Sequence, residues 1–139
     1  MKLAVIGTRT FTNKNRLYFE LDSLRKTVTI SEIVSGCGEE EKMNRGADAF
    51  ARDYARDRGI KYKGFPADWT DMSEPCLVRH NGNNPYNALA GIKRNKQIAV
   101  YSDECLSFWD GISKGTRDCK EQFRILKKKV KRIIYPTKF

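Results

Sequence analysis

The chain has 139 residues, enough for one domain with a real core, and its 40% hydrophobic content excludes global disorder. No apolar run approaches the roughly 20 residues of a membrane span. Lys and Arg outnumber Asp and Glu by 27 to 17, and the net charge of +10 favours anionic partners.

Leu3 to Ile6 is a continuous apolar run ending at Gly7, the pattern of a strand buried on both faces. The run is too short for a signal peptide and leads into Gly-Thr-Arg, not a small-residue cleavage site, so a cytosolic protein is expected. Leu17, Leu21 and Leu24 give helical spacing over 14–26, with Asn13 as the N-cap. Glu32 to Gly36 reads as a second strand. Ala47, Phe50, Ala51, Tyr54 and Ala55 form an i, i+3, i+4, i+7, i+8 stripe closed by Gly59. Ile60 to Phe65 is a third strand. Pro66 to Pro85 has no period and reads as a long loop, a length usually tied to function or mobility. A helix from Tyr86 to Val100 follows, then a strand over Cys105–Trp109. Cys119, Phe123 and Leu126 mark a last helix, which hands over to a strand near Val130–Tyr135. This alternation predicts one α/β domain over 1–139, a Rossmann-like three-layer fold with about five parallel strands and helices on both faces.

In such sheets ligands sit beyond the carboxyl ends of the strands, where the strand order reverses. The segments leaving those ends are Gly7-Thr8-Arg9, Ser35-Gly36-Cys37-Gly38 and Asp110-Gly111-Ile112-Ser113-Lys114-Gly115-Thr116. The last opens into a helix. Its glycines admit close approach of backbone N–H groups to a phosphate, Ser113 and Thr116 offer hydroxyls, and Lys114 adds charge. An ordinary strand-to-helix turn capped by Ser113 would read the same way. Neither a P-loop nor a G-x-G-x-x-G fingerprint is present, which disfavours ATPase and dehydrogenase readings.

Cys37, Cys76, Cys105 and Cys119 include no C-x-x-C pair, and His80 is the only histidine. Free thiols and no metal or cofactor are therefore expected. Lys127-Lys128-Lys129 and Lys131-Arg132 read as a solvated face; nucleic-acid binding through them would be non-specific. Trp109 is assigned to the core, and Trp69 to the site, where it could stack on a base.

Gly7-Thr8-Arg9 with Phe11, Val34-Ser35-Gly36, Arg45-Gly46-Ala47-Asp48, Phe65-Pro66-Ala67-Asp68-Trp69, Ala90-Gly91-x-x-Arg94-Asn95 and Phe108-Trp109-Asp110-Gly111-x-Ser113-x-Gly115-Thr116 occur in this order. The series, from about residue 3 to 135, resembles the SLOG superfamily, most closely its small stand-alone YspA-type branch, common in bacteria and their phages. The resemblance implies a site for nucleotide derivatives. Relatives include the Lonely Guy phosphoribohydrolases and the DNA-processing protein A core, and other SLOG domains sense ADP-ribose-like signals.

Carried over by position, the resemblance has Gly7, Thr8 and Arg9 line the mouth of the first strand, and Ser35 and Gly36 that of the second. Asp48 stands close by, as acceptor for a ribose hydroxyl or as a helix cap. Arg94 and Asn95 face the site, with Arg94 as phosphate clamp or as surface salt bridge, and Gly111 through Thr116 hold the phosphate. Two segments, 37–44 and 70–89, are longer than usual and are expected at the rim.

The phosphoribohydrolase motif P-G-G-x-G-T-x-x-E has Cys119 at its Glu position here. A thiol cannot supply that carboxylate. Asp118, about 100° away around the helix, is the one candidate substitute. Three functions follow. The chain could bind, by sensing or sequestering, a phosphorylated signal such as an ADP-ribose-like or cyclic nucleotide. It could be an N-glycosidase or phosphoribohydrolase using Arg94 and Asp118, or a nucleic-acid binder. Cys119 favours the first, and a homo-oligomer stays open.

Overall fold

The computed structural model describes residues 1–39, 42 and 45–134, the last three as backbone. Five strands, β1 (Lys2–Gly7), β2 (Glu32–Ser35), β3 (Lys61–Gly64), β6 (Glu104–Trp109) and β7 (Val130–Ile134), form a parallel sheet in the order β3-β2-β1-β6-β7. The chain builds outward from β1 to β3, crosses back, and builds outward again through β6 and β7. The strand order therefore reverses between β1 and β6, the place where such sheets open a crevice.

Helices α1 (Lys14–Arg25) and α2 (Ala47–Arg58) cover one face, and α3 (Ala90–Tyr101) and α4 (Lys114–Ile125) the other. The three-layer Rossmann-like α/β fold is as the alternation predicted. Asn13 caps α1 by accepting from the Arg16 N–H at 3.0 Å, and α2 stops at Gly59 in the left-handed region. On the first face Leu17 and Leu21 of α1 and Phe50 and Tyr54 of α2 pack on Leu3, Val5 and Ile33. Phe11 fills the end of this layer, 5.0 Å from the Phe108 ring and 6.2 Å from Phe50. Burying a side chain of this size contributes about 1.5–3 kcal/mol. The second layer is thinner, with Ile98, Ala99, Cys119 and Phe123 against Ala4, Ile6 and Val34.

Between β3 and α3 the sequence pattern misleads. Segment 66–85 is not a featureless loop: β4 (Val78–Asn81) and β5 (Asn84–Asn87) form an antiparallel hairpin outside the main sheet. The two-residue turn starts at Gly82, φ +64°, a conformation in which glycine meets no Cβ penalty. Because 84–87 is strand, α3 begins at Ala90 and not at Tyr86.

One side chain organises this insertion. Asn87 is fully buried; its Nδ2 donates to Asp71 O and Pro75 O, and its Oδ1 accepts from the N–H groups of Leu77 and Leu89. Lys93 of α3 adds an ion pair to Asp71 at 2.8 Å, which with the Ser73 contacts holds that carboxyl well below the usual range. The inserted segment 37–44 lies partly outside the described residues, as do Glu40 and Glu41 of its acidic run and Tyr135 at the end of the last expected strand.

Candidate functional site

The carboxyl ends of β1 and β6 open into a cavity of about 470 Å³, within the range of roughly 300–1,000 Å³ typical of small-molecule sites. Ile6, Ile98 and Cys119 give it apolar lining. Polar lining comes from Thr8, Arg9, Asp48, Arg94, Asn95 and the start of α4, with Trp69 contributing from the insertion.

Close approach of backbone shapes the cavity. A Cβ on Gly7 would lie 2.5 Å from Ala47 Cβ and 2.6 Å from Phe108 O, so only glycine lets β1 end between α2 and β6. On Gly36 it would lie 2.4 Å from Arg94 Nη1 and 2.6 Å from Asp48 Oδ2. Gly36 thus makes room for the half-buried Arg94 guanidinium and the Asp48 carboxylate instead of lining the main cavity itself. Arg94 is fixed by Nη1 donating to Gly36 O (3.1 Å) and Phe65 O (3.3 Å), and by Nε donating to Asn95 Oδ1 (3.0 Å). Asn95 passes the order on, with Nδ2 donating to Gly115 O (3.2 Å) and Asp118 Oδ2 (3.0 Å). A chain of hydrogen bonds therefore ties β2, α3 and the first turn of α4 together across the cavity.

The electrostatics follow from burial. Desolvation pushes the Asp48 carboxyl up to about 6, against the pull of Arg94, Arg9 and the N–H groups of Gly36 and Gly7. Its Oδ1 is buried without a hydrogen-bond partner among the described residues, as are Glu32 Oε2, Ser102 Oγ and Ser107 Oγ away from the cavity. Such orphans are uncommon in a folded interior. The Thr8 hydroxyl bonds the Asp110 carboxyl. Burial also raises the Cys119 thiol, with Asp48 adding to the effect, so the sulfur stays protonated and unreactive at neutral pH.

At the β6–α4 turn, Asp110 Oδ1 accepts from the N–H groups of Ile112 (2.9 Å) and Ser113 (2.8 Å). Burial of Asp110 is outweighed by these bonds, and its carboxyl stays below the ordinary value. The turn's first donors are thereby taken. Those of Lys114, Gly115 and Thr116, at the start of α4, have no acceptor among the described residues, because the first turn of a helix has no carbonyl behind it.

Of the residues expected in the site, Gly7, Thr8, Arg9, Asp48, Trp69, Arg94, Asn95, Ser113, Gly115, Thr116 and Asp118 line the same cavity. Ser35 does not, since its hydroxyl is buried and bonded to Asp48 O and Tyr62. Gly36 lies in an adjoining cleft with Arg9, Arg45 and Arg94, and Gly111 is exposed, with open space around it. Asp118 and Cys119 both border the cavity despite their angular separation on α4. Trp109 is half-buried at the sheet end, its indole N–H donating to Ser113 O and Lys120 Nζ lying 3.7 Å from its ring centroid. Sequence reasoning missed Asp110 and the hairpin. An Asx turn at Asp110 and Gly82-Asn83 between two short runs were the available signals, and Pro85 obscured the second.

The four cysteines are free thiols, no group of His, Cys, Asp and Glu among the described residues could hold a metal ion, and none of their helices is long and apolar enough to cross a membrane. A search of curated proteins finds no match. The sequence profile of the YspA, cpYpsA-related SLOG family (YAcAr) matches residues 1–71, from β1 through β3 to just past Trp69. That half of the chain carries Gly7, Thr8, Arg9, Gly36 and Asp48, and membership points to nucleotide-related ligand binding or processing. With this match over its first three strands, and a Rossmann-like sheet beneath it, the chain belongs to the YspA, cpYpsA-related SLOG family.

Proposed function

We propose that the chain is a binding module that senses or sequesters a nucleotide-derived phosphorylated ligand without turning it over. The observation that carries this reading is the cavity at the strand-order reversal, lined by Arg9, Arg94, Lys114 and the open start of α4. A phosphate answers Arg9, Lys114 and the unpaired N–H groups opening α4. Family membership supports the nucleotide class.

The absence of turnover rests on Cys119, a buried neutral thiol at the position where the hydrolase motif needs a carboxylate. Asp118 borders the cavity but already accepts from Asn95. Part of the basic C-terminal region is already engaged within the chain. Lys128 Nζ donates to Ala99 O, Val100 O and Ser102 O at the end of α3, Lys120 covers Trp109, and Arg124 pairs with Glu121. Nucleic-acid binding should accordingly be weak and fall steeply with salt.

The test is incubation with nucleoside monophosphates, NAD and ADP-ribose, following both affinity and released base. Binding without base release is expected. Release that is lost in Asp118→Asn would establish an enzyme instead.

A further inference from the structure

Beside the cavity lies a second groove, of about 480 Å³, formed by the insertion and lined by Trp69, His80, Asn81, Asn84, Pro85 and Tyr86. Trp69 lines both. Its ring lies over the first turn of α3, within 3.6 Å of where a Cβ on Gly91 would be, and meets Tyr86 edge-on at 6.3 Å. We propose that this groove is a subsite for the nucleobase of the ligand whose phosphate occupies the main cavity, a proposal that rests on the reading of that cavity given above.

Three observations carry it. The lining pairs flat aromatic surface with amides, the combination that stacks on a base and hydrogen-bonds its edge. The side chains of His80, Asn81 and Asn84 make no hydrogen bond among the described residues, whereas the polar side chain holding the insertion together, Asn87, has four. The groove's polar groups are thus left available and are not consumed in folding the hairpin. Finally, the base of the hairpin is held by Asn87 and by Lys93 bonding Asp71 and Ser73, although β4 is exposed along its whole length. A tethered, solvent-facing ribbon that shares a tryptophan wall with the cavity places a flat recognition surface beside the phosphate donors. A nucleobase is the one part of a nucleotide that needs such a surface.

The experiment compares ribose 5-phosphate, the four common nucleoside 5′-monophosphates and the matching nucleosides by calorimetry. At least one monophosphate should bind about tenfold or more tightly than ribose 5-phosphate, the gain expected from stacking one base. Its nucleoside should bind weakly but measurably. In the double variant His80→Ala, Asn84→Ala that gap should shrink severalfold while ribose 5-phosphate affinity stays the same. If ribose 5-phosphate binds as tightly as every monophosphate, or the gap survives the double variant intact, the base subsite is wrong and the phosphate reading stands. If the nucleoside binds with sensitivity to the double variant but ribose 5-phosphate does not bind, the groove is upheld and the phosphate reading fails. If nothing binds, both are overturned.

Discussion

Asp48→Asn isolates the electrostatic cost built into the site. The wild-type carboxyl titrates near 6 in the folded protein against 3.8 as its ordinary value, so the native state holds its proton more tightly than the unfolded chain does. Between these two values the folded state binds more protons, and stability falls as pH rises through the window. Asparagine is isosteric with the protonated acid and does not titrate. Relative to wild type, the variant should gain nothing from this source at low pH and progressively more above pH 4. Each pKa unit corresponds to about 1.4 kcal/mol, so integration over the window gives a full difference of about 3 kcal/mol. About 2 kcal/mol of it should develop between roughly pH 4.5 and 8 by the same integration. Urea unfolding of both proteins at several pH values measures this directly. Carboxylates held below their usual range, such as Asp22 and Asp71, tilt both profiles the opposite way and cancel in the difference. A stability difference that stays flat with pH, or grows toward acid, would refute the assignment of a desolvated Asp48.

Gly36→Ala should push the Arg94 guanidinium off Gly36 O and Phe65 O, since the new Cβ falls 2.4 Å from Nη1; at about 1 kcal/mol per bond lost the denaturation midpoint should drop by the equivalent of about 2 kcal/mol, and an unchanged midpoint would count against Arg94 being fixed. Asn87→Ala strands two carbonyls and two N–H groups, each costing about 1 kcal/mol or more; limited proteolysis should open segment 70–89 while the sheet stays protected in hydrogen exchange. Lys114→Ala with Thr116→Val removes a cation and a hydroxyl from the opening turn of α4, and affinity for ribose 5-phosphate should fall about tenfold or more, as expected for loss of charge-assisted hydrogen bonds. Unaltered calorimetric affinity in that folded variant would move the phosphate elsewhere.

Local pattern alone was enough for the parallel sheet and for helices α1, α2 and α4. Leu3–Ile6, the Ala47–Ala55 stripe, Asn13 and Gly59 express periodicities and caps that depend on neighbouring residues alone, and they agree with the fold. The crevice between β1 and β6 was legible too, because right-handed crossovers leave few places for the order to reverse. Tertiary structure decided the rest. Whether Ser35 or Asp48 reaches the cavity depends on which of two neighbours on adjoining elements takes the hydrogen bonds, a matter of contacts thirteen residues apart. That Gly36 serves Arg94, fifty-eight residues on, has no local signature. The hairpin escaped because its strands are short, carry Pro85, and bury little, so no hydrophobic period marks them. Their order comes from Asn87, whose four partners lie up to sixteen residues away and become neighbours only once the chain has folded.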